Sequence, residues 1–344
     1  MCKVLICPDV HFCQYSSIIR GRGELYTKRL ENCIASLNWV EQLAIQKGCS
    51  EVFFLGDFFS KNTLCSEEIT ALNDVKFSNL PHHAIVGNHE ISVSNSAYSS
   101  LHLLNEIENF QVISKYCYIE RGNTLIHLLP YMYDCPESLQ EVCNFSDKNK
   151  KHIVLSHNDL KGIQMGKFIS VSGFDIDIIN KSCDLFINGH LHNGTKVSNK
   201  ILNLGILTGQ NFNEDAYIYE HHVALLDLDT LKVELLENPF AFNFYKVEIE
   251  KEEDLNKIAH LKNNSAVIIK CNEGLQEKVR DKIKNSGNIV ESRVVVNRTQ
   301  CDVDMLNNDS ADLAVDHLEK FKEFCLDKLG SSEVVLKELA EICK

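Results

Sequence analysis

Residues 185–192 read Leu185-Phe186-Ile187-Asn188-Gly189-His190-Leu191-His192. The apolar run has the length and composition of a buried strand, and a polar turn follows it at once. Glycine at the joint permits a sharp turn or a close backbone approach to a metal or phosphate. Two histidines two residues apart, directly after such a strand, point to ligand work, since imidazole is the commonest side-chain metal ligand.

The same arrangement occurs four times upstream. Val4 to Cys7 leads to Asp9 and His11, and Val52 to Leu55 leads to Gly56 and Asp57. Ala84 to Val86 leads to Gly87, Asn88, His89 and Glu90, and Ile153 to Leu155 leads to Ser156 and His157. Singly these pieces are weak, because Asp-x-His and Gly-Asp are also ordinary turn sequences. Their order and their shared context, each at the end of an apolar run, separate a site from coincidence. The pairs His82/His83 and His221/His222 lack that context and read as surface or structural residues.

Segments with helical spacing lie between the strands. In Leu30 to Gln46, apolar residues recur at three- and four-residue steps, and Glu67 to Phe77 behaves similarly. Strands alternating with helices predict an α/β layered architecture with an at least partly parallel sheet. Ligands bind such sheets beyond the carboxyl ends of the strands, so five loops would converge on one place.

The chemistry follows from the residue types. Imidazole, carboxylate and one amide suit manganese, iron or zinc, whereas an all-oxygen set would favour magnesium or calcium. Asp57, short and anionic, is the natural ligand to share between two ions about 3.5 to 4 Å apart. His89 need not ligate; it is placed to contact a scissile phosphate and protonate the leaving oxygen.

Composition sets limits. A chain of 344 residues, 44% hydrophobic and 24% charged, is that of a globular protein with two domains or one large domain and appendages. No apolar run is long enough to cross a bilayer, and the first seven residues lack a cleavage site, so a cytoplasmic location is expected. The 14 cysteines are scattered without a Cys-x-x-Cys pair, which predicts reduced thiols and no zinc ribbon. A net charge of −13 argues against a free-standing nucleic-acid binder with a broad basic surface. It does not exclude a nuclease, because bound cations reverse the local charge and a partner can carry the basic groove.

The five pieces together resemble the calcineurin-like metallophosphoesterase signature: Asp-x-His, Gly-Asp, Gly-Asn-His-Asp or -Glu, a lone His, then Gly-His-x-His. The resemblance implies an αββα sandwich with a dinuclear centre. One ion would be held by Asp9, His11, Asp57 and His192, and the other by Asp57, Asn88, His157 and His190. Within that superfamily the chain is most similar to the SbcD/Mre DNA-repair nuclease subunits, in compact form like those of phages. The likeness runs through residues 1–240, and includes, weakly, Asn203 to Gln210 with the acidic Glu214 and Asp215. It implies manganese-dependent exonuclease and single-strand endonuclease action in DNA recombination, repair and replication. Two departures stand out. The third motif ends in Glu90 where Asp is usual, which leaves its expected role of orienting His89 open, and Ser156 and Asn158 flank His157.

Pro239 marks a break. Residues 241–297 read as a small β-α-β-α-β unit, which the resemblance identifies with a cap domain that selects DNA; a structural appendage fits the residues equally well. Residues 298–344 read as a polar linker and, from 311 onward, two amphipathic helices. From Cys301 to Lys344 there are 11 acidic and 5 basic residues, a net of −6. Short helices need a surface on which to bury their stripe. They could pack on the cap, while the resemblance implies docking onto an SbcC-type ABC ATPase; homodimer formation is left open. A small-molecule phosphodiesterase, acting on cyclic nucleotides or dinucleotides, is the alternative activity. A non-catalytic scaffold is disfavoured because every expected ligand is present.

Overall fold

In a computed structural model, which describes residues 2–297 apart from 93–94, 132–135, 145–146, 148 and 166–167, the strand Lys3–Cys7 is buried on both faces. Leu5 and Cys7 face one core and Val4 and Ile6 the other, as the period-two alternation of a central strand requires. The strand sits within a six-stranded sheet. Its parallel neighbours on one side are Glu51–Phe54, His82–Ile85 and Phe110–Ile113; on the other side His222–Asp227 pairs antiparallel with it, and Val233–Glu237 pairs antiparallel with that strand in turn. A second six-stranded sheet has Leu185–Asn188 between Ile201–Asn203 and Lys151–Ser156, all parallel. It continues through Thr124–Leu129 to Cys117–Arg121.

The two sheets bury their inner faces together, with Val4, Ile6, Phe53 and Ile85 meeting Ile126, Leu128, Ile153 and Ile187. Helix Lys28–Gln46 covers the outer face of the first sheet, where Leu30, Cys33, Leu37, Val40 and Ala44 pack on Leu5, Val52 and Phe54. Thr27 starts that helix by accepting a hydrogen bond from the Leu30 N–H. Helices Pro136–Asn144 and Ile176–Ser182 cover the second sheet through Leu139, Val142 and Ile179. The result is the expected α/β sandwich of four layers.

A third, smaller sheet has three parallel strands, Asn243–Ile249, Ser265–Asn272 and Ile289–Asn297, joined through helical turns at 252–259 and the helix Gln276–Lys284; two short two-stranded ribbons, 91–92 with 95–99 and 164–165 with 168–169, complete the described sheets. It has its own core of Val247, Ile249, Ile258, Val267, Ile269 and Val279. The linker and helices expected in 298–344 lie outside the described residues, and so does the ATPase-docking surface assigned to 311–344. No helix among the described residues is long and apolar enough to cross a membrane.

Some boundaries move for local reasons. The helix expected over Glu67 to Phe77 spans only Ser66–Leu72, because Asn73 caps it and the chain then turns. After the strand His222–Asp227 the chain turns through Leu231, which takes a left-handed conformation with φ 58°, and pairs again from Val233. Of the two readings of the histidine pairs, surface or structural, His82, His83 and His221 take the structural one, since they are buried. His82 lies 3.1 Å from both Glu41 oxygens, and His83 lies 2.9 Å from Glu51. The described cysteines are all free thiols.

Glu51 also accepts two bonds from Arg121 of the second sheet, at 2.6 and 2.8 Å, tying the sheets together at the amino end of its strand. Burial raises the Glu51 carboxyl, but His83 and Arg121 outweigh it and hold the group at about 2, below the ordinary 4.5. Glu51→Gln should destabilise the protein by about 2 kcal/mol at neutral pH, since it strands a partly buried guanidinium. The folded value is depressed, so the contribution is complete above about 4.5 and disappears as pH falls towards about 2. Urea melts of both proteins at pH 7 and pH 3 check this, and the gap between them should narrow at pH 3.

Candidate metal centre

Five loops meet at the carboxyl ends of strands from both sheets. The first sheet supplies Asp9, His11, Asp57 and Asn88; the second supplies His157, His190 and His192. The loops are bound to each other: the Asp57 carbonyl accepts from Val10 N at 3.1 Å and His11 N at 2.8 Å. Both Asp9 carboxylate oxygens lie 3.0 Å from His190 N. Three site residues adopt left-handed backbone, His11 at φ 50°, Asp57 at 46° and His190 at 72°. Such conformations are costly for residues with a Cβ and persist where surrounding structure over-determines them, often at functional sites. The glycines are required by close approach. A Cβ on Gly56 would come within 2.5 Å of His157 Nδ1, one on Gly189 within 2.5 Å of Asp9 Oδ1, and one on Gly87 would collide with Asp57.

Within this frame the donor atoms form two groups, with a third, His11, Asp57 and His89, overlapping both. Asp9, His11 and His192 are one, with His11 Nε2 and His192 Nε2 3.0 Å apart. Asp57, His157 and His190 are the other. Asn88 Oδ1 joins the second, 3.0 Å from His157 Nε2 and 3.1 Å from His190 Nδ1. Asp57 Oδ2 borders both groups, 3.2 Å from His157 Nε2 and 3.7 Å from His11 Nε2. Neutral imidazoles and carboxylates at these spacings are a donor set for two divalent ions with a shared carboxylate.

The electrostatics are those of a site short of positive charge. Burial, then the neighbouring His192, keep His11 well below its ordinary value, so it stays a neutral donor. Burial would lower His157 too, but Asp57 and Asp9 outweigh it and raise the imidazole to about 9. Asp57 is held far below the carboxylate range: burial opposes this, and His157, His11 and His89 prevail. A cation among these groups would replace the proton, so binding and protonation compete.

His89 stands apart. Its side chain is 46% exposed, and its Nε2 lies 3.9 Å from Asp57 Oδ2. Its Nδ1 is 3.1 Å from the Ser60 carbonyl, to which it donates, leaving Nε2 to face outward. The expected contact from Glu90 to His89 is not what this longer side chain makes. Glu90 is fully buried and accepts from Phe59 N at 3.0 Å and Gly87 N at 2.8 Å, tying the second ligand loop to the third. Burial, then Asp57, push its carboxyl up to about 8.

All the residues expected at the site are therefore brought together. Four supporting residues had no such assignment. Asp159 Oδ1 lies 3.2 Å from His190 Nε2, and Glu214 Oε1 lies 3.0 Å from His192 Nδ1. Arg29, buried in the long helix, donates to the Gly209 carbonyl at 2.9 Å and reaches the His11 carbonyl at 3.4 Å. Ser60 contributes the carbonyl that holds His89. A signal existed for two of them: Asp159 is a carboxylate two residues past a candidate ligand, and Arg29 is a cation on the apolar face of a helix.

Comparison with known proteins agrees. The model of the calcineurin-like phosphoesterase family matches residues 2–194. No curated protein matches the sequence. Among solved structures, matches include an archaeal phosphodiesterase, 13% identical over 68% of this chain and 99% of that one, with a TM-score of 0.36. A dimetal phosphatase from Danio rerio is 13% identical over 69% and 99%, with a TM-score of 0.39. The phosphoesterase Yfce from E. coli is 12% identical over 69% and 99%, with a TM-score of 0.31. Since the family match spans more than half of the chain and carries all five ligand loops, the chain belongs to the calcineurin-like phosphoesterases.

Proposed function

We propose that this metal-dependent phosphoesterase is a DNA nuclease of the SbcD/Mre type, cutting phosphodiesters with two bound ions, manganese being the expected metal. In this reading Asp9, His11, Asp57 and His192 hold one ion, and Asp57, Asn88, His157 and His190 the other. The ions would supply an activated water and charge compensation for the phosphate. His89, exposed and fixed through Nδ1, would stand beside the scissile phosphate and give a proton from Nε2 to the leaving oxygen.

The observation that favours DNA over a small diester is the third sheet and its attachment. The loop carrying Glu214 runs straight into it: Asp215 bridges to Phe244, and Ala216 N donates to the Phe244 carbonyl at 2.9 Å. Ile19, Phe242, Phe244 and Ala266 form a further buried cluster beside that junction. An accessory unit tied to the loop that backs His192 suits a long substrate that extends past the centre. Residues 1–240 would then be the nuclease unit, 241–297 the DNA-selecting cap, and 311–344 the segment that docks an SbcC-type ATPase.

The test is cleavage of an end-labelled duplex with a single-stranded extension, in Mn²⁺ and in EDTA. Cutting in manganese alone is expected. No cutting, together with hydrolysis of a cyclic nucleotide or dinucleotide, would replace the nuclease by the small-molecule reading that the net charge of −13 favours.

A further inference from the structure

His190 and His192 are two residues apart, yet they turn opposite ring nitrogens to the centre. His190 directs Nδ1 to Asn88 Oδ1 and keeps Nε2 for Asp159; His192 directs Nε2 to His11 and keeps Nδ1 for Glu214. Each outward nitrogen meets a carboxylate, and the two carboxylates come from unrelated loops. Asp159 follows the strand Lys151–Ser156, and Glu214 precedes the third sheet. Each histidine belongs to a different donor group.

We propose that Asp159 and Glu214 are positioning residues that set the two ion sites separately, each through the one histidine it backs. The inference rests on the two-ion reading above. A carboxylate that accepts the outward N–H fixes the tautomer, locks the ring and raises the basicity of the inward nitrogen. His190 is thereby committed to Nδ1 ligation and His192 to Nε2 ligation. The supports differ in strength. The Glu214 side chain is 2% exposed and that of Asp159 28%, so solvent screens the second contact more. Glu214 is also held by Gln210 N at 2.6 Å and Asn211 Nδ2 at 3.0 Å, which fixes its carboxylate against His192. The ion on His192 is consequently the more firmly supported of the two.

The loss of such a partner typically weakens metal binding about 10- to 100-fold. Glu214→Gln should fall towards the upper end and Asp159→Asn towards the lower. The experiment is Mn²⁺ binding to the full chain, followed by calorimetry and by electron paramagnetic resonance, with circular dichroism to verify folding. His190→Ala and His192→Ala backgrounds each leave one ion site. Glu214→Gln should weaken the ion that remains in His190→Ala and leave unmoved the one that remains in His192→Ala. Asp159→Asn should do the reverse. Glutamine and asparagine keep the shape and a hydrogen-bond acceptor but lose the charge, so full affinity in these variants would show that the carboxylate does not strengthen the histidine it backs and overturn the proposal. Equal weakening of both steps by either variant would overturn it as well. Fewer than two Mn²⁺ per wild-type chain would sink the two-ion reading and this inference together. Two ions bound without DNA cleavage would sink the nuclease reading alone.

Discussion

Asp57→Asn is expected to cost on the order of 10³-fold or more in phosphodiester cleavage, because one side chain serves both donor groups. Its Oδ2 lies 3.7 Å from His11 Nε2 in one group and 3.2 Å from His157 Nε2 in the other. Asp9 also approaches His157, at 3.6 Å, but on the Nδ1 that is already turned to the Leu55 carbonyl. Asparagine has nearly the same shape as aspartate but no charge, so it cannot offset the charge of two cations. Two-ion catalysis draws several kcal/mol of transition-state stabilisation from those cations, and each 1.36 kcal/mol or so is about a factor of ten in rate. Asp57→Asn should also lower the metal content at a fixed free concentration, read by elemental analysis after gel filtration. The Oδ1 of Asp57 accepts the His89 N–H at 3.0 Å, so the loop bearing His89 should loosen at the same time. An Asp57→Asn enzyme with two bound ions and wild-type turnover would remove the shared-carboxylate assignment.

The second large effect is on chemistry without loss of metal. His89→Ala should lower turnover about 10² to 10⁴-fold, the usual range for a general acid, while both ions remain bound. The imidazole is half exposed and held through the Ser60 carbonyl, so its removal leaves little void and no buried orphan. The defect should shrink with a diester whose leaving group is already acidic, such as bis(p-nitrophenyl) phosphate, since such an oxygen needs no proton. Equal loss on DNA and on the activated ester would make His89 a phosphate-binding residue instead.

Much of this was legible in the sequence because the chain states its ligands locally. Each strand that ends in a ligand is an apolar run, and each ligand follows within a few residues, so pattern and chemistry coincide. The sequence could not show which sheet each strand joins. Lys3–Cys7 and Leu185–Asn188 read alike as buried strands, and only packing separates them into two sheets. The supporting residues were less visible for a related reason. Glu214 is 22 residues from His192, and Arg29 is 180 from the carbonyl that it binds. Glu90 shows the limit in another way. One additional methylene carries its carboxylate past the histidine beside it and onto two backbone donors, which residue type alone does not reveal.

The origin of the donor atoms in both halves of the sandwich has a mechanical consequence. Asp9, His11, Asp57 and Asn88 ride on one sheet and His157, His190 and His192 on the other, so the distance between donors depends on how the sheets are registered across Val4, Ile6, Ile126 and Leu128. Metal affinity is then a gauge of that alignment. A conservative change deep in the interface, far from any ligand, that lets one sheet slide by a fraction of an ångström becomes in effect an active-site mutation.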